Sequence, residues 1–248
     1  PLYRNDFGPF SPGFVVVPYG DLGALEVAIN QNTAAFLVEP IQAEAGIIIP
    51  PQDYLRKAKD ICRKHNILFI ADEIQTGLGR TGKLFASDYE DVKPDILVIG
   101  KSLGGGYYAI SAVLSSREIL GLFKPGEHGS TFGANPLACA MAREAVRLIK
   151  EEKMVENSAE LGKYFLERLK TLKSRHIKEV RGKGLLIGIE LKAEAGGARR
   201  FCEALKEEGL LCKETHQHVI RFAPPLIIKQ KELDWAFKRV SQVFKQAE

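Results

Sequence analysis

Cysteine is scarce in this chain and widely scattered. Its four copies (Cys62, Cys139, Cys202 and Cys212) form no CxxC and no Cys/His ligand spacing. That excludes a disulfide framework and a structural zinc site, and it suits a reducing compartment. His216 and His218 form an isolated HxH, read as an exposed loop before a strand, so no metal is expected. Long apolar runs are lacking as well. None approaches the roughly 20 residues that span a bilayer, so no membrane partner is expected. Charge of one sign is nowhere concentrated: 35 Lys and Arg balance 31 Asp and Glu, a formal net charge of +4. The densest basic stretch, Lys170 to Lys183, contains Glu179 and no interleaved aromatics. It reads as a solvated surface and not as a nucleic-acid patch. Internal repeats and low-complexity tracts are absent too.

What is there is the mix of an ordinary soluble globular protein. In 248 residues, 45% are hydrophobic and 27% charged, enough for one large or two modest domains. The chain opens at Pro1, and its first twenty residues read as a loop from the middle of a protein. The natural start is therefore expected upstream, so a targeting peptide is not excluded. The expected location is the cytoplasm, or the mitochondrial matrix if the source is eukaryotic.

Up to about residue 135, short β-branched runs alternate with helical or loop segments. The runs are AAFLVEPI (34–41), ILFIADE (67–73), DILVIG (95–100) and ISAVLSS (110–116). Asp53 is placed to cap a helix through Lys64, with Tyr54, Ala58 and Ile61 along one side. Apolar strands joined through helices indicate an α/β fold with a mostly parallel, doubly covered sheet. Ligands of such sheets bind beyond the strands' carboxyl ends. Glu39, Asp72 and Lys101 all lie there.

Asn135-Pro136 then starts a helix, and Leu161, Phe165, Leu169 and Leu172 mark a second. HIKEV (176–180) and LLIGIEL (185–191) read as strands around a turn at Arg181 to Gly184. A helix ending at Gly209 follows, then strands near 210–214 and 219–223. A last amphipathic helix carries Leu233, Phe237, Val240 and Phe244. This is a smaller α+β layer, so the expected division is residues 1–142 and 143–248, bridged by a helix.

Three motifs invite chemistry. GLGRTG (77–82) matches GxGxxG and, with Lys83, most of a Walker A motif. The Walker motif needs Ser or Thr next, and here Leu84 follows. A dinucleotide loop should leave its strand at once and open a helix, whereas Glu73 to Thr76 intervene. Nucleotide binding is therefore a minor reading, testable by ATP or NAD titration. Asp72 ends one apolar run, and Lys101 follows another inside the glycine-rich GKSLGGGYY. Taken singly, Asp72 reads equally as a turn residue and Lys101 as a surface lysine. Taken together, they suit an aldehyde cofactor with a basic ring nitrogen, for which pyridoxal phosphate is the obvious candidate. The lysine must lose its proton, which burial promotes. A carboxylate about 3 Å from the ring nitrogen contributes roughly 5 kcal/mol at an effective dielectric near 20, and little over 1 kcal/mol in water. That raises the ring pKa by about three units, provided water is kept away.

The strings VEPIQAEAG, FIADEIQTGLGRTG, PDILVIGKSLGGG, GEHGSTFGANPLA, EVRGKGLLIGIEL and VIRFAPPL resemble those of the class III (subgroup II) aminotransferases of fold type I. The resemblance runs the whole chain. It implies the fold of the pyridoxal-phosphate-dependent transferases, with the mostly parallel sheet of a large domain and then a smaller α+β domain. Lys101 would hold the cofactor covalently and shuttle protons, and Asp72 would pair with the ring nitrogen. Ile74 would pack on the ring, and Gln75 would contact its 3-hydroxyl. Ser130 and Thr131 would reach the phosphate of a partner's cofactor, implying a homodimer or higher homo-oligomer with a large apolar interface. Glu44 and Arg221 would form a switchable ion pair that frees the arginine for a 2-oxo acid's carboxylate. Without the family, Ser130-Thr131 would be a plain turn, Arg221 a solvent-facing strand residue and Glu44 a loop carboxylate. Glu39 is left as structural or supporting.

Ala43 stands where the family usually has glycine, and Ala109 where proline is common. The family's N-terminal part, more than a third of its chain, is not in this sequence. It supplies the phosphate loop and the second ring-stacking residue, so weak cofactor binding is expected of this segment alone. The implied substrates are small amino acids and 2-oxo acids: L-ornithine and 2-oxoglutarate or another acceptor. N-Acetylornithine or another ω-amino acid is the alternative donor. A non-catalytic relative kept for assembly is the alternative of another kind.

Overall fold

The four early apolar runs pair side by side, as their near-continuous hydrophobicity demands. The computed structural model describes residues 5–247; Pro1, and the expectation attached to it, lies outside them. Strands β1 (Ala35–Val38), β2 (Leu68–Asp72), β3 (Ile96–Ile99) and β4 (Ala112–Ser115) form one sheet in that order. The β1–β2 and β2–β3 pairs are parallel, and β4 runs antiparallel to β3. Each strand is shorter than its apolar run.

Helix α1 (Leu22–Ala28) packs on α2 (Tyr54–Lys64), and α2 packs on β2, in a core of Leu25, Tyr54, Leu55, Ala58 and the sheet's Phe69. Helix α1 escapes sequence reading: it has seven residues and buries only Leu25, too little for a periodic stripe. Asp53 occupies the N-cap of α2 as expected, but not by the expected chemistry. Its backbone is left-handed (φ 64°), it makes no capping bond, and its carboxylate pairs with Arg56 at 2.6 Å.

After the short α3 (Arg117–Leu120), α4 (Pro136–Glu151) begins as its sequence dictates. Asn135 Oδ1 accepts from the Ala138 N–H at 2.9 Å, and Pro136 opens the first turn. Helix α4 packs on the Lys101–Gly104 turn and on α5 (Met154–Lys170).

The second sheet has the order β5-β6-β8-β7 and is antiparallel throughout. Its strands are β5 (Ile177–Lys183), β6 (Leu186–Leu191), β7 (Lys213–Thr215) and β8 (Val219–Phe222). Helices α5, α6 (Arg199–Glu207) and α7 (Gln230–Gln246) enclose its core around Phe165, Ile187, Phe201, Val240 and Phe244. The turn expected at Arg181 to Gly184 is corrected here. Strand β5 continues to Lys183, which pairs with Leu186. Arg181 stays in the strand because Glu179 and Glu190 neutralise it.

The GLGRTG segment joins the two sheets. The Arg80 carbonyl accepts from the Leu185 N–H and the Ser158 hydroxyl, both at 3.1 Å. The Arg80 guanidinium returns hydrogen bonds to Leu185 O at 3.1 Å and Pro224 O at 2.6 Å. A Cβ on Gly82 would lie 2.8 Å from Ala159 Cα, and one on Gly184 would lie 2.2 Å from the Thr81 carbonyl carbon. These glycines serve close backbone packing. Among the described residues, no helix is long and apolar enough to cross a membrane.

Candidate active site

Parallel pairing brings two chemically different groups to one edge. Asp72 ends β2 opposite Val98 of β3, and Lys101 lies just past the end of β3. The Glu73 N–H donates to Val98 O at 2.9 Å, extending this alignment by one residue. Asp72 is half-buried, and its Oδ1 accepts from the Ile74 N–H at 3.0 Å. No described residue donates to its Oδ2. A Cβ on Gly100 would lie 3.6 Å from Ile74 Cγ2, so Ile74 borders the turn that carries Lys101.

Lys101 itself has a left-handed backbone, φ 47°, a conformation that costs a non-glycine residue about 1 kcal/mol. Its ammonium has no ion pair or hydrogen bond among the described residues. Partial burial holds it below the ordinary lysine range; Arg221 and Lys213 add to this, and Glu44 and Glu39 oppose it. The water-free enclosure expected from the sequence is not found in these residues. The apolar run of β2 backs Asp72 from one side, while Lys101 is exposed.

Glu73, next to Asp72, is buried and has another task. Its carboxylate accepts from the Ala86 N–H at 3.0 Å, from the Ser87 N–H and hydroxyl at 2.8 and 2.9 Å, and from Thr76. Four donors satisfy a buried charge, and they fasten the loop that leaves β2. Of the two neighbouring acids, one anchors the loop and the other is open to a ligand.

Three further segments converge on this edge. Glu44 Oε1 meets Arg221 Nη1 of β8 at 2.5 Å, and Glu44 Oε2 meets Lys213 Nζ of β7 at 3.1 Å. Lys213 and Arg221 are direct partners across the β7–β8 ladder. Arg221 Nη1 also lies 3.4 Å from Gln75 Oε1. Burial by itself would raise the Glu44 carboxyl, but hydrogen bonds and charges from Arg221 and Lys213 bring it down to about 2. Burial raises the Glu39 carboxyl, which accepts from the Ala43 N–H at 3.2 Å, and the Asp72 charge adds to that rise. Burial, then the charge of Arg221, brings the Arg80 guanidinium down to about 10.

Asp72, Ile74, Gln75, Lys101, Glu44 and Arg221 thus share one neighbourhood. Ser130 and Thr131 do not join it within this chain. Both are exposed, and Ser130 Oγ accepts from the Gly133 N–H at 2.9 Å. Their loop touches the glycine-rich turn where the Asn135 side-chain amide approaches the Tyr108 hydroxyl at 3.4 Å. Sequence reasoning missed Lys213 and Arg80, since only strand register and the joint reveal their neighbours. The departure at Ala43 is accommodated, its methyl fully buried with Ile41, Ile47 and Leu186, whereas Ala109 is exposed. An amine of lowered proton affinity and a carboxylate with one uncommitted oxygen fit a ring bearing an aldehyde and a basic nitrogen.

Known proteins resemble this chain in sequence and fold. The model of the family described as Aminotransferase class-III matches residues 1–244. An ornithine aminotransferase of a Geobacillus species is 58% identical over 242 residues, 98% of this chain and 60% of that protein. The chain thus spans about 60% of the length of the curated relatives it matches. The ornithine aminotransferase of Toxoplasma gondii, solved with partial occupancy of PLP at its active site, superposes with a TM-score of 0.95. Its identity is 47%, over 98% of this chain and 58% of that one. The acetylornithine aminotransferase of Elizabethkingia anophelis gives a TM-score of 0.91 at 47% identity, covering 95% of this chain and 63% of the other. The architecture described above is the fold type I these enzymes share.

Proposed function

We propose, on the premise that the chain belongs to the class-III aminotransferase family, that the protein is a pyridoxal-phosphate-dependent ornithine aminotransferase. It would move the terminal amino group of L-ornithine to 2-oxoglutarate or another 2-oxo acid, leaving glutamate 5-semialdehyde and an amino acid. The observation that carries the reading is the placement of Asp72 and Lys101 at neighbouring parallel strand ends. The 58% identity to an ornithine aminotransferase supports the choice of donor.

When bound, pyridoxal phosphate supplies the electron sink for loss of a proton from the amine-bearing carbon. Lys101 Nζ would hold the group covalently and, once free, carry that proton; its lowered proton affinity enlarges the neutral fraction needed for both tasks. The uncommitted Oδ2 of Asp72 would hold a proton at the ring nitrogen. Ile74 would cover one side of the ring, and Gln75 would bind its 3-hydroxyl. The Glu44–Arg221 pair masks the guanidinium while the terminal amine reacts. Once opened, it leaves a planar fork suited to a carboxylate.

Ser130 and Thr131 serve the phosphate of a second copy in this proposal, which makes the protein a homodimer. Exposed apolar side chains around that loop support it: Tyr107, Leu122, Phe123 and Phe132 are 88, 76, 59 and 81% exposed. The division of the chain is placed at residues 142–143, inside α4.

A second reading, transfer from N-acetylornithine, is favoured by the equal 47% identity of the Elizabethkingia enzyme. Half-reactions of the full-length holoenzyme with ornithine, N-acetylornithine and 4-aminobutyrate separate the two. Ornithine is expected to react fastest, and equal rates with N-acetylornithine would overturn the donor assignment.

A further inference from the structure

The Glu44–Arg221 pair has a third member, and its geometry gives that member a task of its own. We infer that Lys213 is a positioning residue that keeps Glu44 neutralised when Arg221 turns to the carboxylate of a 2-oxo acid, and so favours binding of that acceptor over the masked state. The inference rests on the transamination reading above and deepens it.

The two oxygens of Glu44 are divided between two cations. Oε1 takes Arg221 at 2.5 Å and Oε2 takes Lys213 at 3.1 Å. The cations face each other directly across the β7–β8 ladder, where like charges repel. Glu44 bridges them, and Gln75 Oε1, 3.4 Å from Arg221, adds only a neutral acceptor. With one carboxylate between two cations, the cluster carries a net formal charge of +1. A second carboxylate, brought by the acceptor, makes it neutral. Lys213 can retain Glu44 through Oε2 while Oε1 gives up Arg221, so the guanidinium is released without stranding an unpaired acid.

Removing the lysine inverts this balance. Glu44 and Arg221 would then form a closed neutral pair, and an incoming carboxylate would leave the cluster at −1. The masked state gains and the carboxylate-binding state loses. The lysine side chain is 59% exposed, so the effect is that of a partly solvated ion pair, about fivefold in an equilibrium.

The test uses full-length holoenzyme with Lys213→Met and Lys213→Arg. In Lys213→Met, the KM for 2-oxoglutarate is expected to rise about fivefold relative to the KM for the amine donor. The KM for pyruvate, whose one carboxylate needs the same guanidinium, should rise with it, and Lys213→Arg should restore both ratios. Direct titration with glutarate, which has both carboxylates but no reacting carbonyl, should weaken in Lys213→Met by a similar factor. Added salt should shrink the difference between wild type and variant. An unchanged glutarate affinity, or equal changes in KM for the 2-oxo acids and for the amine donor, would overturn the inference. The glutarate arm does not depend on the amine donor: a wild type inactive with ornithine but with Lys213-dependent glutarate binding would refute the donor assignment alone.

Discussion

Asp72 and Glu73 are neighbours with the same functional group, and their surroundings give them opposite roles. Glu73 spends its carboxylate on Thr76, Ala86 and Ser87. Asp72 gives only Oδ1 to the Ile74 N–H. Removing the Asp72 charge should therefore act on chemistry and not on folding. Asp72→Asn in the full-length holoenzyme is expected to lower kcat by about 10²–10³, the loss of roughly two to three units of ring basicity. Its Tm should stay within a few degrees of wild type. A variant with full kcat, or one that simply unfolds, would contradict the assigned role. The sequence shows that an acid ends this strand, but not which of the two is free. That choice depends on donors from residues 76–87, which reach Glu73 only after the loop folds back.

The separate elements were legible where one local rule dominates. The Asn135-Pro136 start of α4 is a matter of adjacent residues, and so it could be read directly. The end of strand β5 is not legible locally, because Arg181, Gly182 and Lys183 look like a solvated turn. Of the partners that hold Arg181 in the strand, Glu190 counts only once β6 lies alongside. The structural role of GLGRTG is invisible without the chain that packs on it. Gly184, with φ +52° and a would-be Cβ 2.2 Å from the Thr81 carbonyl carbon, is the stringent position. Gly184→Ala should combine backbone strain with a backbone clash and destabilise the protein by about 2–4 kcal/mol. Gly106→Ala, with nothing within 4 Å, should cost only about 1 kcal/mol of conformational strain. Urea midpoints of the two variants compare them directly, and equal midpoints would mean that the joint yields.

At the scale of the whole molecule, the exposed apolar side chains of the 107–132 region match the oligomer proposed from Ser130 and Thr131. The full-length protein is expected to scatter light as a dimer. Phe132→Asp should shift it toward monomer and weaken cofactor retention in the same measurement; an active monomeric wild type would refute the arrangement. The residue order alone was sufficient for the strand ends that carry Asp72 and Lys101, because an apolar run and the polar residue that stops it are neighbours along the chain. It could not disclose that Glu44 is shared by Lys213 and Arg221, 169 and 177 residues away. Such a meeting is set by the register of β7 on β8 and by the Arg80 joint between the sheets, and no periodicity in a linear string records either.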